Sequence, residues 1–405
     1  MLRVIFITLL LMAGVLIIWA PASISLNSIY KDIETFFAPT SESRFESAKP
    51  AIITRSEPTL KNVEPPATTA SEPILKIETG FHTAIVNQIS LTRKGQLISV
   101  SDDKTARLWT SITEPSKALR VPIGQQNEGA LYTVAASPSK DIAVVGGSTG
   151  ISWDNAGTVY SIDLNTGEII GRIHGIPGSI HALNYSKGGK YLAIGTSTGL
   201  LRIVNLVAKS LATQNNDCSD TVAAIEYLAG NKVITACLDG SVRMYDEHFQ
   251  LIAAHKLASK RRPWRIALSP DQTQAAIGSL DTGEIEVLSL KDLTPTNKFS
   301  VDQKNSGVFS SVAWSGDTLF GAGTYGDSSG TKFIHTWNLR TRKQSDIAVA
   351  KDSITDLLPI SEKELAYSTA EALVGKVVLA SQQVVVQPRI IPDYRDAYEG
   401  KFALS

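Results

Sequence analysis

From residue 74 onward, this chain of 405 residues repeats a pair of strand-like runs joined by a turn of small residues. Each pair follows a further short strand-like run such as "VNQISL". The successive pairs start at intervals of 46, 49, 41, 42, 44 and 46 residues, and the starts are Leu97, Ala143, Leu192, Val233, Ala275, Leu319 and Leu365. Seven units of about 45 residues are typical of four-stranded blades. We therefore predict an all-β, seven-bladed β-propeller over residues 74–388, followed by a tail at 389–405.

The first unit, "FHTAIVNQISLTRKGQLISVSDDKTARLWT", resembles the WD40 repeat. In that family a His, a Ser or Thr, an Asp and a Trp form a hydrogen-bonded group inside a blade. The resemblance implies these roles for His82, Ser101, Asp103 and Trp109, with Ser99 as an alternative to Ser101. The stretches "RRPWRIALSPDQTQAAIGSLD" and "GVFSSVAWSGDTLFGAGTYGD" are similar to WD40 modules of bacterial multidomain proteins. The implied fold is a WD40/YVTN-like propeller.

The chain contains two cysteines, and both lie in the fourth unit. Cys218 and Cys237 take the places that His82 and Ser101 have in the first unit. Because the resemblance implies that those side chains touch, it also implies a disulfide between the cysteines. Closing a loop of this length would contribute roughly 3 kcal/mol by the chain-entropy estimate. Two unpaired buried thiols remain the alternative.

The N-terminal segment is typical of an export signal. Residues 4–20 are apolar apart from Thr8, and about 17 residues of helix reach roughly 25 Å, close to the lower limit for crossing a bilayer. Trp19 suits an interfacial anchor, whereas Ala20 and Ala22 suit a cleavage site. We predict a signal anchor or signal peptide at 1–22 and leave both forms open. Residues 23–73, rich in Pro, Ser, Thr and Glu, are predicted to form a disordered linker.

Catalytic and cofactor motifs are weak in this sequence. "GGSTG" at Gly146 and "GTSTG" at Gly195 match a hydrolase pattern, but neither precedes a helix-like run, so we interpret both as turns. No pattern typical of a phosphate-binding loop or a metal site is present, and we predict neither a cofactor nor a metal. With 39 basic and 39 acidic residues, no overall charge favours nucleic acid.

Two features suggest where a partner binds. The second and sixth units have longer turns, which in WD40 proteins lie on the usual partner face, so Trp153 and Tyr325 are candidate exposed aromatic residues. Lys260, Arg261 and Arg262 precede the inner strand of the fifth unit, and such a cluster suits carboxylate or phosphate groups.

We therefore expect a non-catalytic scaffold that binds a protein or peptide through its propeller loops. It would be exported and held at the periplasmic side of the inner membrane by the N-terminal helix, or be periplasmic or secreted if that helix is cleaved. A quinoprotein-like enzyme, suggested by "SIDLNTGEII", and an envelope-assembly propeller remain the alternatives. Either "PILKIET" or "QQVVVQP" is expected to supply the outer strand of the last blade.

Overall fold

The computed structural model describes residues 80–150, 156–258, 261–301 and 306–388. The chain divides into two compact units, Met1–Ile74 and Leu75–Ser405, and every described residue belongs to the second. The predicted export segment (1–22), linker (23–73) and tail (389–405) lie outside the described residues. Within the described ranges, no helix has the length and hydrophobicity needed to cross a membrane.

The described residues form 28 strands and one short 3₁₀ helix at Ala229–Asn231. The first three blades contain β1 Val86–Leu91, β2 Leu97–Ser101, β3 Thr105–Trp109, β4 Lys117–Arg120; β5 Leu131–Ala136, β6 Ile142–Gly147, β7 Ala156–Asp163, β8 Ile169–Pro177; β9 Ile180–Tyr185, β10 Tyr191–Thr196, β11 Leu201–Asn205 and β12 Ser210–Asn215. The next two contain β13 Val222–Tyr227, β14 Val233–Cys237, β15 Ser241–Tyr245, β16 Leu251–Lys256; β17 Pro263–Leu268, β18 Gln274–Ser279, β19 Glu284–Ser289 and β20 Pro295–Ser300. The last two contain β21 Ser311–Ser315, β22 Thr318–Ala322, β23 Lys332–Asn338, β24 Gln344–Ala350; β25 Ile354–Ser361, β26 Glu364–Thr369, β27 Val374–Val378 and β28 Gln383–Val386.

Each blade is an antiparallel sheet of four strands that follow one another along the chain. Seven such sheets confirm the predicted seven-bladed propeller. In the last blade the outer strand is β28, which pairs with β27, so "QQVVVQP" supplies that strand. "PILKIET" lies outside the described residues.

The core consists of layers between neighbouring blades. The second strands β2 and β14 are buried along their whole length because a blade packs against each of their faces, whereas the outer strand β20 is almost entirely exposed. The buried apolar side chains form seven clusters, and each cluster joins two adjacent blades.

The first and last blades close the ring. Phe81 and Trp109 of the first blade share a buried cluster with Ala366 and Val374 of the last. Backbone groups of β1 also bond to β25, since the Thr355 hydroxyl donates to the Val86 carbonyl at 2.5 Å. The ring is therefore closed by side-chain packing and by hydrogen bonds between the first strands of these two blades.

Candidate functional site

A β-bulge recurs at the same place in the inner strand of six blades. In β1 the register with β2 shifts between Val86 and Gln88, which leaves Asn87 unpaired. The inner strands β5, β9, β13, β17 and β25 have the same shift after their first residue. A bulge redirects the extra side chain away from the sheet. Together with Ser310, which precedes β21, the bulged residues form one ring, composed of Asn87, Tyr132, His181, Ala223, Trp264, Ser310 and Thr355.

This ring surrounds one end of the central channel. Six of its seven members, all except Ala223, line a cavity of about 450 Å³, here called the mouth. Tyr132 and His181 stack with ring centroids 5.2 Å apart, and Trp264 lines the mouth as well. Leu280, Val308 and Ile354 add apolar surface, and the Asp102 carboxylate lines the same cavity. The mouth is thus largely aromatic and aliphatic, as ligand sites usually are.

Arg265 forms the floor of the mouth. This side chain, 8% exposed, donates from Nε to Asp356 Oδ1 at 3.3 Å and from Nη2 to the Asn87 carbonyl at 3.2 Å. It also donates to the Ala223 carbonyl at 3.4 Å, so one guanidinium from the fifth blade contacts the first, fourth and seventh. The Asp356 carboxylate is also buried, and its other oxygen accepts a hydrogen bond from the Ile89 amide at 3.1 Å.

A second cavity of about 310 Å³ lies on the other side of Arg265 and is called here the lower cavity. Gln88, Asn184 and Glu226 are among its polar lining residues. The Asn184 amide donates to Glu226 Oε2 at 2.9 Å. Burial, reinforced by the charge of Asp356, raises the pKa of Glu226 to about 7. In the mouth, burial and the charge of Arg265 lower the pKa of His181 to about 4, so His181 is neutral near pH 7.

The loops on the two faces of the ring differ in charge. Loops that follow the second and fourth strands of each blade open on the side of the mouth, called here the mouth face. Their described residues include ten acidic side chains, Asp102, Asp103, Glu128, Asp217, Asp220, Asp239, Asp281, Asp327, Asp352 and Glu371, and four basic ones, Lys104, Arg261, Arg262 and Lys351.

The loops of the opposite face have an excess of positive charge. They contain twelve basic side chains, Arg93, Lys94, Lys140, Lys187, Lys190, Lys209, Lys232, Lys291, Arg340, Arg342, Lys343 and Lys363, and nine acidic ones, Glu114, Asp141, Glu168, Asp246, Glu247, Asp271, Asp292, Asp317 and Glu362. Even without Asp103 and Glu128, which are buried, eight acidic side chains stand against four basic ones on the mouth face, so a chain without net charge has an acidic face around the mouth.

The predicted hydrogen-bonded group of the first blade is present, with one correction. His82 Nδ1 lies 2.8 Å from Asp103 Oδ2, and Trp109 Nε1 donates to Ser99 Oγ at 2.7 Å. Ser99 Oγ also lies 2.7 Å from His82 Nε2, so Ser99 is the central hydroxyl and the assignment to Ser101 is wrong. Although burial opposes ionisation of Asp103, its contacts with His82 hold the pKa at about 2.

The predicted disulfide of the fourth blade is confirmed. Cys218 and Cys237 are bonded, with their Cα atoms 6.0 Å apart. Strand register places Cys237 opposite Val222, as Ser101 lies opposite Val86, so the predicted equivalence with Ser101 also holds. Because both sulfurs belong to this bond, neither cysteine offers a thiolate to a metal or to catalysis.

The predicted basic cluster is neutralised by nearby carboxylates. Arg261 forms an ion pair with Glu284, and Arg262 pairs with Asp281 at 2.7 Å. Lys260 lies outside the described residues. Neither described arginine therefore presents an unpaired guanidinium to an anionic ligand.

The prediction that Tyr325 is an exposed aromatic residue is wrong. Its side chain is 2% exposed, packs 4.9 Å from the Phe309 ring centroid and donates to Asp346 Oδ2 at 3.2 Å. His335 lies 2.5 Å from the other oxygen of Asp346, so the long hairpin packs onto its own blade. Trp153 lies outside the described residues.

The mouth was not found from the sequence, although two signals were present. Tyr132, His181 and Trp264 all occupy the second position of an inner strand, and aligning those strands would have placed them in one column. Arg265 and Asp356 are charged residues at the third position of mainly apolar inner strands, and each is buried. Neither signal depends on loop length, the feature that predicts Trp153 and Tyr325.

The model of the family "WD domain, G-beta repeat" matches residues 75–110, the first unit. A comparison with curated proteins found no match. The matched segment contains β1 to β3 and the His82, Ser99, Asp103 and Trp109 group, and the blade to which it belongs is one of seven four-stranded sheets. The family match and the seven-bladed ring together identify the chain as a WD40-repeat β-propeller.

Proposed function

We propose that this chain is a scaffold that binds a protein or peptide at the mouth face. WD40 propellers generally act as protein-interaction scaffolds and are typically non-enzymatic. The observation that supports the site best is the ring of bulged residues, which directs Tyr132, His181 and Trp264 into one cavity at the loop-rich end of the channel. Tyr and Trp are enriched at the centres of protein interfaces. The proposal assigns no reaction and no cofactor to the chain.

We propose further that the propeller is exported and works in the cell envelope, tethered by its N-terminal segment or released from it. The apolar run at residues 4–20 supports export. The Cys218–Cys237 disulfide supports it independently, because disulfides persist in oxidising compartments and are rare in the cytosol. Protease treatment of spheroplasts tests this location. Degradation of the propeller without lysis is expected, and protection until lysis would contradict export.

Covalent crosslinking in intact source cells, followed by purification through a C-terminal tag, tests the binding function. We expect a stoichiometric partner whose recovery falls in Trp264→Ala. Trp314→Ala is the matched control, because Trp314 is also partly buried but lines a separate cavity between the fifth and sixth blades. Equal recovery from both variants would place the partner elsewhere, and absence of any captured protein would contradict the scaffold function.

A further inference from the structure

The acidic loops around the mouth limit the partners that this face can accept. The described mouth-face loops hold ten acidic and four basic side chains, in a chain whose total charge is zero. Like charges brought together at an interface weaken association, whereas complementary charges speed encounter and favour the correct partner. An acidic or phosphorylated segment is therefore disfavoured at this face.

Several of these carboxylates are available to a partner. Asp239 is paired with Arg243 and Asp281 with Arg262. In contrast, Asp102, Asp220 and Asp352 make no ion pair within 4 Å with any described residue, although Asp220 lies near enough to Arg262 to attract its charge. Their hydrogen bonds within the described residues come from neutral donors, which are the Asn87 amide and the backbone amides of Thr221 and Ser353. A cationic side chain would gain more from these three carboxylates than from those already paired.

The mouth itself is suited to an uncharged side chain. Trp264, Val308 and Ile354 line it with apolar surface, and the charge of Arg265 on its floor is balanced by Asp356. A Lys or Arg at the floor of the mouth would meet the Arg265 guanidinium, whereas the Asp102 carboxylate, which also lines the mouth, belongs to a mouth-face loop. An apolar or aromatic side chain would bury its surface there without that repulsion.

We propose that the mouth face binds a basic peptide segment, in which an apolar or aromatic side chain enters the mouth and flanking Lys or Arg side chains meet Asp102, Asp220 and Asp352. This inference rests on the proposed function and names the chemical class of the partner. It reverses the sequence-based expectation that Arg261 and Arg262 select an anionic group.

The test is a selection from an unbiased peptide-display library on the full-length chain in detergent micelles. The enriched peptides are expected to contain an apolar or aromatic residue flanked by Lys or Arg. Their affinity for the chain should fall roughly tenfold in the triple variant Asp102→Asn, Asp220→Asn, Asp352→Asn, since exposed ion pairs each contribute modestly. It should also fall as salt is raised to about 0.5 M, because exposed charge interactions are screened.

The control is Glu247→Gln, Asp317→Asn, Glu362→Gln, which removes three charges from loops of the opposite face and should leave the affinity unchanged. Enriched peptides that are neutral or acidic, but still lose affinity in Trp264→Ala, would overturn the basic-peptide inference and leave the scaffold function standing. Peptides that bind Trp264→Ala as well as wild type, or no enrichment at all, would overturn both.

Discussion

Ser99 is the residue on which the polar centre of the first blade depends. Its hydroxyl accepts from Trp109 Nε1 and lies at hydrogen-bond distance from His82 Nε2, and its side chain is fully buried. Ser101 is also buried, but among the described residues its hydroxyl bonds to backbone groups alone, the Ala84 carbonyl and the Asp103 amide. Loss of Ser99 would remove the described hydrogen-bond partner of Trp109 Nε1 and one contact of the His82 ring, and a buried polar group that loses its partner costs more than a hydrogen bond contributes.

Ser99→Ala is therefore expected to lower the free energy of unfolding by about 2–4 kcal/mol, and Ser101→Ala by about 1 kcal/mol. Urea unfolding followed by tryptophan fluorescence would measure both. Equal losses, or a larger loss for Ser101→Ala, would contradict the central position of Ser99.

The error at this position has a physical origin. Side chains two apart on a strand point to the same face, so alternation cannot distinguish Ser99 from Ser101. Spacing likewise identified Arg261 and Arg262 as a basic cluster but did not reveal Glu284 and Asp281, which come from the next hairpin. The kind of residue at a position could be predicted, whereas its partner depended on strand register.

At the scale of the blade, the fourth blade has a disulfide where the first blade has the hydrogen-bonded contact of a His with a Ser. Cys218 stands where the first blade has His82, and register places Thr235 opposite Ile225 as Ser99 lies opposite Ile89. Tyr245 takes the place of Trp109. The disulfide thus joins the segment before the inner strand to the second strand, much as the His82–Ser99 contact does in the first blade.

Reduction of this disulfide should destabilise the propeller by about 3 kcal/mol on the chain-entropy estimate for a loop of this length. The measurement is the urea midpoint with and without a thiol reductant. Cys218→Ala, Cys237→Ala is the matched control and should unfold at the reduced midpoint in both conditions. An unchanged midpoint in wild type would mean that the bond adds no stability.

Blade number and strand order followed from the repeat, because each blade is a local meander and its period is visible along the chain. The bulges were not predictable in the same way. A bulge adds one unpaired residue without interrupting the apolar pattern, so Asn87, Tyr132 and His181 read as ordinary strand residues. The ring that they form exists only after seven strands converge on the channel.

At the scale of the whole ring, Glu226 should make stability depend on pH. Burial raises its pKa from 4.5 to about 7 on folding, so folding favours the protonated form. That contribution is complete below the unfolded pKa of 4.5 and is lost as pH rises through about 7.

As pH rises from 5 to 8, the free energy of unfolding of Glu226→Gln should therefore increase relative to that of wild type. The gain should be at most roughly 3 kcal/mol, since one pKa unit corresponds to about 1.4 kcal/mol. Urea unfolding at the two pH values would show it. Glu247→Gln, exposed on the opposite face, is the control and should show no such change; a pH-independent difference for Glu226→Gln would contradict the shift.

The Arg265–Asp356 pair connects distant parts of the ring, and removing one partner should cost far more than removing both. Arg265→Met would leave a buried carboxylate with the backbone amides of Ile89 and Leu357 as its remaining described donors, and Asp356→Leu would leave a buried guanidinium. Each single variant is expected to lose about 3–5 kcal/mol, and the double variant less than either, because a buried ion pair offsets its own desolvation only partly.

Burial also raises the pKa of Asp356, so the Arg265→Met loss should shrink at pH 5, where the carboxyl can take up a proton. A double-mutant cycle of unfolding free energies at pH 5 and pH 8 measures both effects. Additive losses that do not vary with pH would mean that the two side chains act independently and that the floor of the mouth is held by the surrounding strands alone.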